Sequence, residues 1–392
     1  MVGKVILKEK EDRRLLAGHL WIFNNEIASV ENLNENGEIV DIFSWQQKFL
    51  GKGYYNRHSL ISVRVLTRKN EVLDTDFFSK GISRAYQNRR QIYPQLDSYR
   101  LIFSEGDLLP GLIVDKYRDY LVVQLLTLGI ERLSPSILEA LIGLAYPKGI
   151  LLRNDSPSRE REGLPLEVKV AFGEIPESVE IEENGLRFKV NLHTGQKSGF
   201  FFDQRDNRKL VRDSCQGKRV LDCFCYSGSF SLNAAEGGAS SVLAVDESEQ
   251  ALALVKANSE VNGYGSAIQT ERANCFEKLR ELQKEEEKFD VIILDPPAFV
   301  KSKEKLGQGM KGYKEINLSA MKLLNKEGLL VSCSCSYQLS PEDFMKTIRA
   351  AARDAKRSFK LVNLTTQAPD HPILLAMPET QYLKCAFLQA LD

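Results

Sequence analysis

At 392 residues the chain exceeds one typical domain, so two or three are expected. Its 53 Lys and Arg balance 53 Asp and Glu, so global charge announces no RNA partner and any electrostatic footprint must be local. No window approaches a bilayer-spanning apolar run, Met1–Lys8 has no apolar signal core, and the seven cysteines, odd in number and all beyond residue 214, read as reduced thiols; a soluble, cytoplasmic protein is expected.

Residues 1–72 are strand-rich and punctuated by turns at Asn36-Gly37, Gly51, Gly53 and Asn56–His58. Glu38–Ile42 and Leu60–Val65 read as short strands. Asp74 to Arg100 reads as helical. Strands return at Leu101–Phe103, Leu112–Asp115 and Leu121–Leu126, followed by a helix from Pro135 to Leu144 and a strand at Gly149–Arg153. The charged segment Ser158–Gly163 is expected to be an exposed loop. Hairpin-like segments flank Asn184-Gly185.

The last half of the chain shows buried apolar strands that end in polar residues. Arg219–Phe224 reads as a strand, Cys225–Phe230 as a turn of small residues, and Ser231–Ala235 as helix. Such a turn lets the backbone approach a ligand closely, and the helix N-terminus offers free N–H groups. The G-x-G-x-x-G of a dinucleotide fold is missing, so an amino-acid-bearing nucleoside fits better than a diphosphate. Ser241–Val245 leads into Asp246, 18 positions after Gly228, a spacing that suits an acidic residue holding ribose hydroxyls. A third strand end carries Asn274, whose amide could read adenine.

Phe289–Leu294 ends in Asp295-Pro296-Pro297-Ala298-Phe299. In an open parallel sheet the ligand site lies beyond the strands' carboxyl ends. Pro296 pushes Asp295 away from helical geometry, so this loop can hold a carboxylate and an aromatic ring against a planar base. Lys301, Lys303, Lys305, Lys311 and Lys314, with Gly307, Gly309 and Gly312 between them, read as a basic loop able to clamp RNA. The strand from Leu329 to Ser336 holds Cys333 and Cys335, which a two-residue period puts on one face. Cys223/Cys225 and Cys333/Cys335 lack the C-x-x-C spacing of metal frameworks, and with four histidines in the chain no metal is expected.

Val220-Leu221-Asp222 with Ser227-Gly228, then Asp246, Asn274 and Asp295-Pro296-Pro297, resembles the class I S-adenosylmethionine-dependent methyltransferases. Gly18–Phe23, His193–Gly199 before Asp203-Gln204-Arg205, Gly312–Asn317 and Asp370-His371-Pro372 extend the resemblance over nearly the whole chain. The family it resembles is the large-subunit rRNA cytosine-C5 methyltransferases of the "methyltransferase I" type. The resemblance implies an α/β fold: a Rossmann-like class I methyltransferase domain over residues 189–392. A small β-barrel PUA domain over 1–72 and a central α+β module over 73–188 would precede it. S-adenosylmethionine is the implied cofactor, held by Asp222, Phe224, Tyr226, Ser227 and Gly228 at the first strand end. Gln204, Asp246, Ser248 and Asn274 complete the implied cofactor set. The implied partner is large-subunit ribosomal RNA, with phosphate contacts from Lys48, Lys52, Arg57, Arg64, Arg68 and Lys69 and stacking from Tyr54 and Tyr55. Lys301, Lys303 and Lys314 would add contacts beside the site; no membrane is expected, and a homodimer is a possible assembly. Cys335, seven residues past Gly328, is the implied nucleophile, with Asp295 as its partner and Cys333 as packing.

The chemistry explains those residue types. Carbon 5 of cytosine is a poor nucleophile until a thiolate adds to carbon 6 and makes it enamine-like. That demands a cysteine beside a group that stabilises the ring nitrogen, then a base for the carbon-5 proton. A cytosine inside a duplex is out of reach, so the target must be extruded or unpaired. Ala298 stands where many RNA cytosine methyltransferases carry a second cysteine, which leaves the proton-removing base open among Asp295, Lys314 and a bound water. Competing readings are exocyclic-amine methylation of adenine or guanine, which needs no thiol, and a non-catalytic RNA-binding protein on a relic fold. A nicotinamide dehydrogenase lacks its glycine fingerprint.

Overall fold

The computed structural model describes residues 2–195, 198–300 and 302–392. One compact unit runs to Ile181 and adds Val190–Phe202 and Pro369–Thr380; the other comprises Glu182–Lys189, Asp203–Ala368 and Gln381–Asp392. Among the described residues no helix is long and apolar enough to cross a membrane.

In the first unit the chain forms β1 (Gly3–Leu7), α1 (Arg13–Leu16), β2 (Trp21–Ile22), β3 (Ile27–Glu31), β4 (Ile39–Phe43), β5 (Phe49–Tyr55) and β6 (Val63–Thr67). These strands make a six-stranded sheet in the order β2-β6-β5-β4-β1-β3. Alternation along them buries Val5, Leu7, Val40, Ile42, Val63 and Val65 in one core. Helix α2 (Thr75–Ile92) starts at Asp74, whose carboxylate accepts the Phe77 N–H at 3.1 Å. The expected helix to Arg100 stops short of Pro94, because the residue before a proline avoids helical geometry. Ser98 to Arg100 belong instead to the next strand.

That strand, β7 (Ser98–Phe103), is followed by β8 (Leu112–Tyr117), β9 (Tyr120–Leu125), α3 (Leu128–Arg132), α4 (Ser134–Ala145), β10 (Gly149–Asn154) and β11 (Glu167–Gly173). They form a five-stranded sheet, β11-β10-β9-β8-β7, in which β9 and β10 run parallel because α3 and α4 carry the chain back between them. The expectation of an exposed loop at Ser158–Gly163 holds for Glu160, Arg161 and Gly163 and is corrected for Arg159 and Glu162. Arg159 is buried and pairs with Glu131 at 2.9 Å, while buried Glu162 pairs with Arg64 at 3.0 Å. Alternating charge reads as solvated, but here each of these charges has a fixed counter-charge. The segment Pro369–Thr380 is tied into the same unit by Asp370, whose carboxylate accepts the Arg100 N–H at 3.1 Å and whose carbonyl accepts from Arg89 at 2.9 Å.

A hairpin of β12 (Ser178–Glu183) and β13 (Leu186–Asn191) turns at Asn184 and Gly185, with φ of 53° and 77°, as a two-residue hairpin loop demands. Strands and helices then alternate: α5 (Arg205–Arg212), β14 (Arg219–Cys223), α6 (Ser229–Glu236), β15 (Ser241–Asp246), α7 (Glu249–Val261), β16 (Ile268–Arg272), α8 (Cys275–Lys284), β17 (Phe289–Leu294) and α9 (Leu306–Leu323). The chain continues through β18 (Leu324–Ser334), α10 (Pro341–Ala355), β19 (Phe359–Thr365) and β20 (Lys384–Ala390). The seven-stranded sheet has the order β16-β15-β14-β17-β18-β20-β19, parallel except for β20, which is antiparallel to both neighbours. This is the expected Rossmann-like arrangement. The order reverses beside β14, so a crevice opens beyond the carboxyl ends of β14 and β17.

The basic segment after Asp295 is not the glycine-punctuated loop expected. Gly307, Gly309 and Gly312 lie inside α9. A Cβ on Gly309 would come within 2.3 Å of Val300, and one on Gly312 within 3.2 Å of the Phe299 ring. Those two glycines let the helix lie against the Asp-Pro-Pro loop.

Candidate active site

The turn between β14 and α6 is held in an unusual backbone shape. Phe224, Tyr226 and Gly228 all have positive φ, at 63°, 48° and 75°. Two non-glycine residues in the left-handed region cost energy that the surroundings must supply. The return is a fixed set of contacts. The Tyr226 N–H donates to Asp246 Oδ2 at 3.0 Å, and the Gly228 carbonyl accepts the Leu232 N–H at 2.8 Å as α6 begins. A Cβ on Gly228 would approach Val255 to 2.9 Å, so glycine is required by space as well as by φ.

Beneath that turn lies unspent polar capacity. Ser227 Oγ and Asp222 Oδ1 are buried and, among the described residues, have no hydrogen-bond partner. Orphaned buried groups of this kind are rare and call for a ligand or another explanation. Burial pushes the Asp222 carboxyl up to about 7, with the Ser231 hydroxyl opposing through a 2.6 Å bond to Oδ2 and Asp295 and Asp246 adding like-charge repulsion. Asp246 receives one N–H on each oxygen, from Ser248 at 2.9 Å and Tyr226 at 3.0 Å. A carboxylate has about four acceptor positions, so room remains for two hydroxyls.

Two expected cofactor contacts are already engaged. The Ser248 hydroxyl caps α7 by accepting the Ala251 N–H at 3.2 Å. Asn274 caps α8, accepting from Phe276 and Glu277 at 3.0 and 3.3 Å, and its amide donates to Glu247. That amide has a second N–H, which leaves a donor for an adenine beside the Glu247 contact. Gln204 is buried, and its amide donates to Asp295 Oδ1 at 3.0 Å while its carbonyl accepts from Asn207 at 2.6 Å. Those two bonds aim the Asp295 carboxylate.

Asp295 and Cys335 come together. β17 and β18 are parallel neighbours with Leu294 beside Ser332, so the two loops leave the sheet side by side. The Cys335 thiol points at the Pro296 carbonyl at 3.9 Å. Cys335 lies just past the end of β18 and is the one cysteine among the described residues that is not buried. Cys333 is fully buried against Cys385, its cross-strand partner, with 3.1 Å between sulfurs, and burial holds its thiol well above the usual range. The loops are also latched to each other. Ser336 Oγ accepts the Val300 N–H at 3.2 Å and bonds the Tyr313 hydroxyl at 2.9 Å.

Two features escape a reading of the sequence. Lys384, at the head of β20, is buried and donates to the carbonyls of Ser336 and Tyr382 at 2.7 and 2.8 Å. Its only linear signal is a lysine opening a strand that is apolar but for Gln389. Tyr337, 63% exposed, stacks on Tyr382 at 5.1 Å and 23°, and Tyr382 is itself anchored to Asp203 at 2.5 Å. Phe299 is not turned outward; it packs against Tyr313, Phe276 and Phe224 with centroids 4.7, 5.6 and 6.4 Å away.

The expected RNA contacts divide sharply. Tyr54 is 1% exposed and bonded to Pro110 O and Thr127, so it cannot stack on a base. Arg64 is committed to Glu162, and Lys52 is half-buried beside Asp41 at 3.6 Å. Lys48, Arg57, Lys69 and Lys303 are exposed. Lys314, on α9, pairs with Asp354 at 2.5 Å. Lys301, like Gln196 and Lys197 of the His193–Gly199 motif, lies outside the described residues.

Residues 160–381 match the S-adenosylmethionine-dependent methyltransferase family, and residues 5–68 match a PUA-like domain. Proteins from Tolumonas auensis and Vibrio cholerae, each named ribosomal RNA large subunit methyltransferase I, are 41% identical to this chain. The first covers 100% of both chains and the second 98% of both. The chain belongs to the methyltransferase I family. A Streptococcus mutans protein assigned as a SAM-dependent methyltransferase has the same fold, with a TM-score of 0.86 at 24% identity over 99% of this chain and all of its own. A further structure of that fold, SMU.776, was solved with SAH and gives a TM-score of 0.87 at 24% identity with the same coverage. Membership makes S-adenosylmethionine the cofactor. The residues present fit it: Asp246 has capacity for two hydroxyls, and Ser227 and Asp222 keep unspent polar atoms beside a turn that bares its backbone.

Proposed function

We propose that this chain methylates carbon 5 of a cytosine in large-subunit ribosomal RNA through a covalent cysteine–cytosine adduct. The observation that carries this reading is Cys335, the non-buried thiol, facing Pro296 of the Asp295 loop. S-adenosylmethionine supplies the methyl group. Cys335 adds to carbon 6, and Asp295, aimed by Gln204, stabilises the ring nitrogen as charge shifts onto the ring. Phe299 and Tyr313 close the rear of the crevice, and Tyr337 offers an outer ring for a neighbouring base. Exocyclic-amine methylation would leave this thiol without a task.

We assign residues 1–72 to RNA binding, 73–188 to substrate positioning and 189–392 to catalysis, in a reduced cytoplasmic compartment. Exposed Lys48, Arg57, Arg68 and Lys69 are the contacts retained for the N-terminal region. The test is transfer of labelled methyl to rRNA from an unmodified strain, followed by nucleoside analysis. Label in 5-methylcytosine supports the reading; label in an N-methylated purine replaces it.

A further inference from the structure

Lys384 occupies a position that lysine rarely holds. It is 2% exposed, and among the described residues no carboxylate pairs with it. β20 sets it opposite Ser334, so its side chain rises at the end of β18 where the chain turns into Cys335. One of its hydrogen bonds goes to Ser336 O, on the residue directly after that thiol.

A buried ammonium without counter-charge is costly and is relieved by losing its proton. Burial brings Lys384 down to about 8, and the opposing influence is the charge of Cys335. The two carbonyls suit either protonation state. A neutral amine satisfies both with its two N–H groups and keeps a lone pair; an ammonium satisfies both and keeps one N–H.

Other titratable groups around this corner are already engaged. Asp295 receives Gln204, Tyr313 meets Ser336, and Asp203 receives Tyr382. Cys333 and Cys385 face each other inside the sheet. The charge that acts on Lys384 is that of Cys335.

We infer that Lys384 accepts the Cys335 thiol proton and, as the resulting ammonium, holds the thiolate ready for carbon 6. The S–H bond breaks as an N–H bond forms; the sulfur keeps the electron pair that makes the S–C6 bond, and no other reactant is consumed. This rests on the covalent reading above. It also gives the enzyme a proton store that does not compete with Asp295 for the base.

The test is alkylation of Cys335 by iodoacetamide in the full-length protein from about pH 5 to about pH 10, read by peptide mass. The wild-type midpoint is expected at least about one unit below the ~8.5 of a free thiol. K384M and K384Q should raise it by about one unit or more, with S-adenosylmethionine affinity unchanged by calorimetry. K384Q retains an amide able to donate to a carbonyl, so it separates loss of the amine from loss of the loop's support. A wild-type midpoint at or above ~8.5, or one that neither variant moves, overturns the inference. RNA carrying 5-fluorocytosine at the target separates the two claims. A lowered, Lys384-dependent midpoint without a trapped adduct keeps the pair and removes the carbon-5 reading. A trapped adduct with a midpoint that ignores Lys384 does the reverse.

Discussion

Asp246 accepts two backbone N–H groups and has capacity for two more donors, which makes it the anchor of the proposed ribose site. Asp246→Ala should weaken S-adenosylmethionine binding by about 1–3 kcal/mol, the cost of leaving buried polar partners unmet. Unchanged affinity in calorimetry would take Asp246 out of the site. Asp222 makes a different kind of prediction. Its folded carboxyl titrates near 7, above the ~3.9 of an unfolded chain, so the folded state binds the extra proton between those values. Stability from this group is full below about pH 4 and is lost as pH rises through 7. Thermal melts across that window should fall more steeply for wild type than for Asp222→Asn, where the Ser231 bond can persist without a charge. Parallel curves would mean that the Asp222 carboxyl is ionised throughout. At this scale the sequence reveals what is local: Asp246, Asp295 and Cys335 stand at the ends of readable strands. Gln204 and Lys384 were opaque because their meaning lies in partners far along the chain, Asp295 in one case and Ser336 in the other.

Among elements, α9 shows most clearly where pattern and structure part. Lysines and glycines in alternation resemble a mobile loop, and nothing in the linear pattern says that Gly309 and Gly312 are there to admit Val300 and Phe299. The strands of the methyltransferase sheet were legible because burial on both faces writes continuous apolar runs. The buried charges of Ser158–Gly163 were not, since a solvated loop and a set of internal ion pairs share one composition. A paired substitution tests the account of α9. Gly307→Ala has open space around it and should stabilise by up to about 1 kcal/mol through helix propensity. Gly309→Ala gains the same propensity but forces a methyl into Val300, and overpacking of about 1–3 kcal/mol should win. Opposite shifts in melting temperature are expected. Two shifts of the same sign would mean that α9 does not rest on the Asp295 loop.

For the whole molecule, a net charge of zero leaves open which charges are available to a partner. Tyr54, Arg64 and Lys52 are committed to neighbours, while Lys48, Arg57 and Lys69 are exposed. Replacing those three with Ala should lower RNA affinity and flatten its dependence on salt by about 2 in the log–log slope, at ~0.7 per phosphate contact on single strands. Cofactor affinity should stay as it was. An unaltered slope would show that this surface makes no phosphate contact. Removing residues 1–72 outright is a poorer test, because Tyr54 and Asn56 are hydrogen-bonded into Thr127 and Glu162.

The insertion of Pro369–Thr380 into the first unit has a consequence for biosynthesis. A ribosome releases the chain from its N-terminus, yet Arg89 and Arg100 wait for Asp370 to receive their hydrogen bonds. The first unit is therefore not finished until Asp370 has been made. Nascent chains stalled before Asp370 would hold those groups without their native partner, and β20, with Lys384, would still be unmade. Pulse-chase proteolysis of such stalled chains should find residues 1–181 cleavable until translation passes the Asp370-His371-Pro372 motif, so quality control would see this unit as unfinished until that motif has emerged.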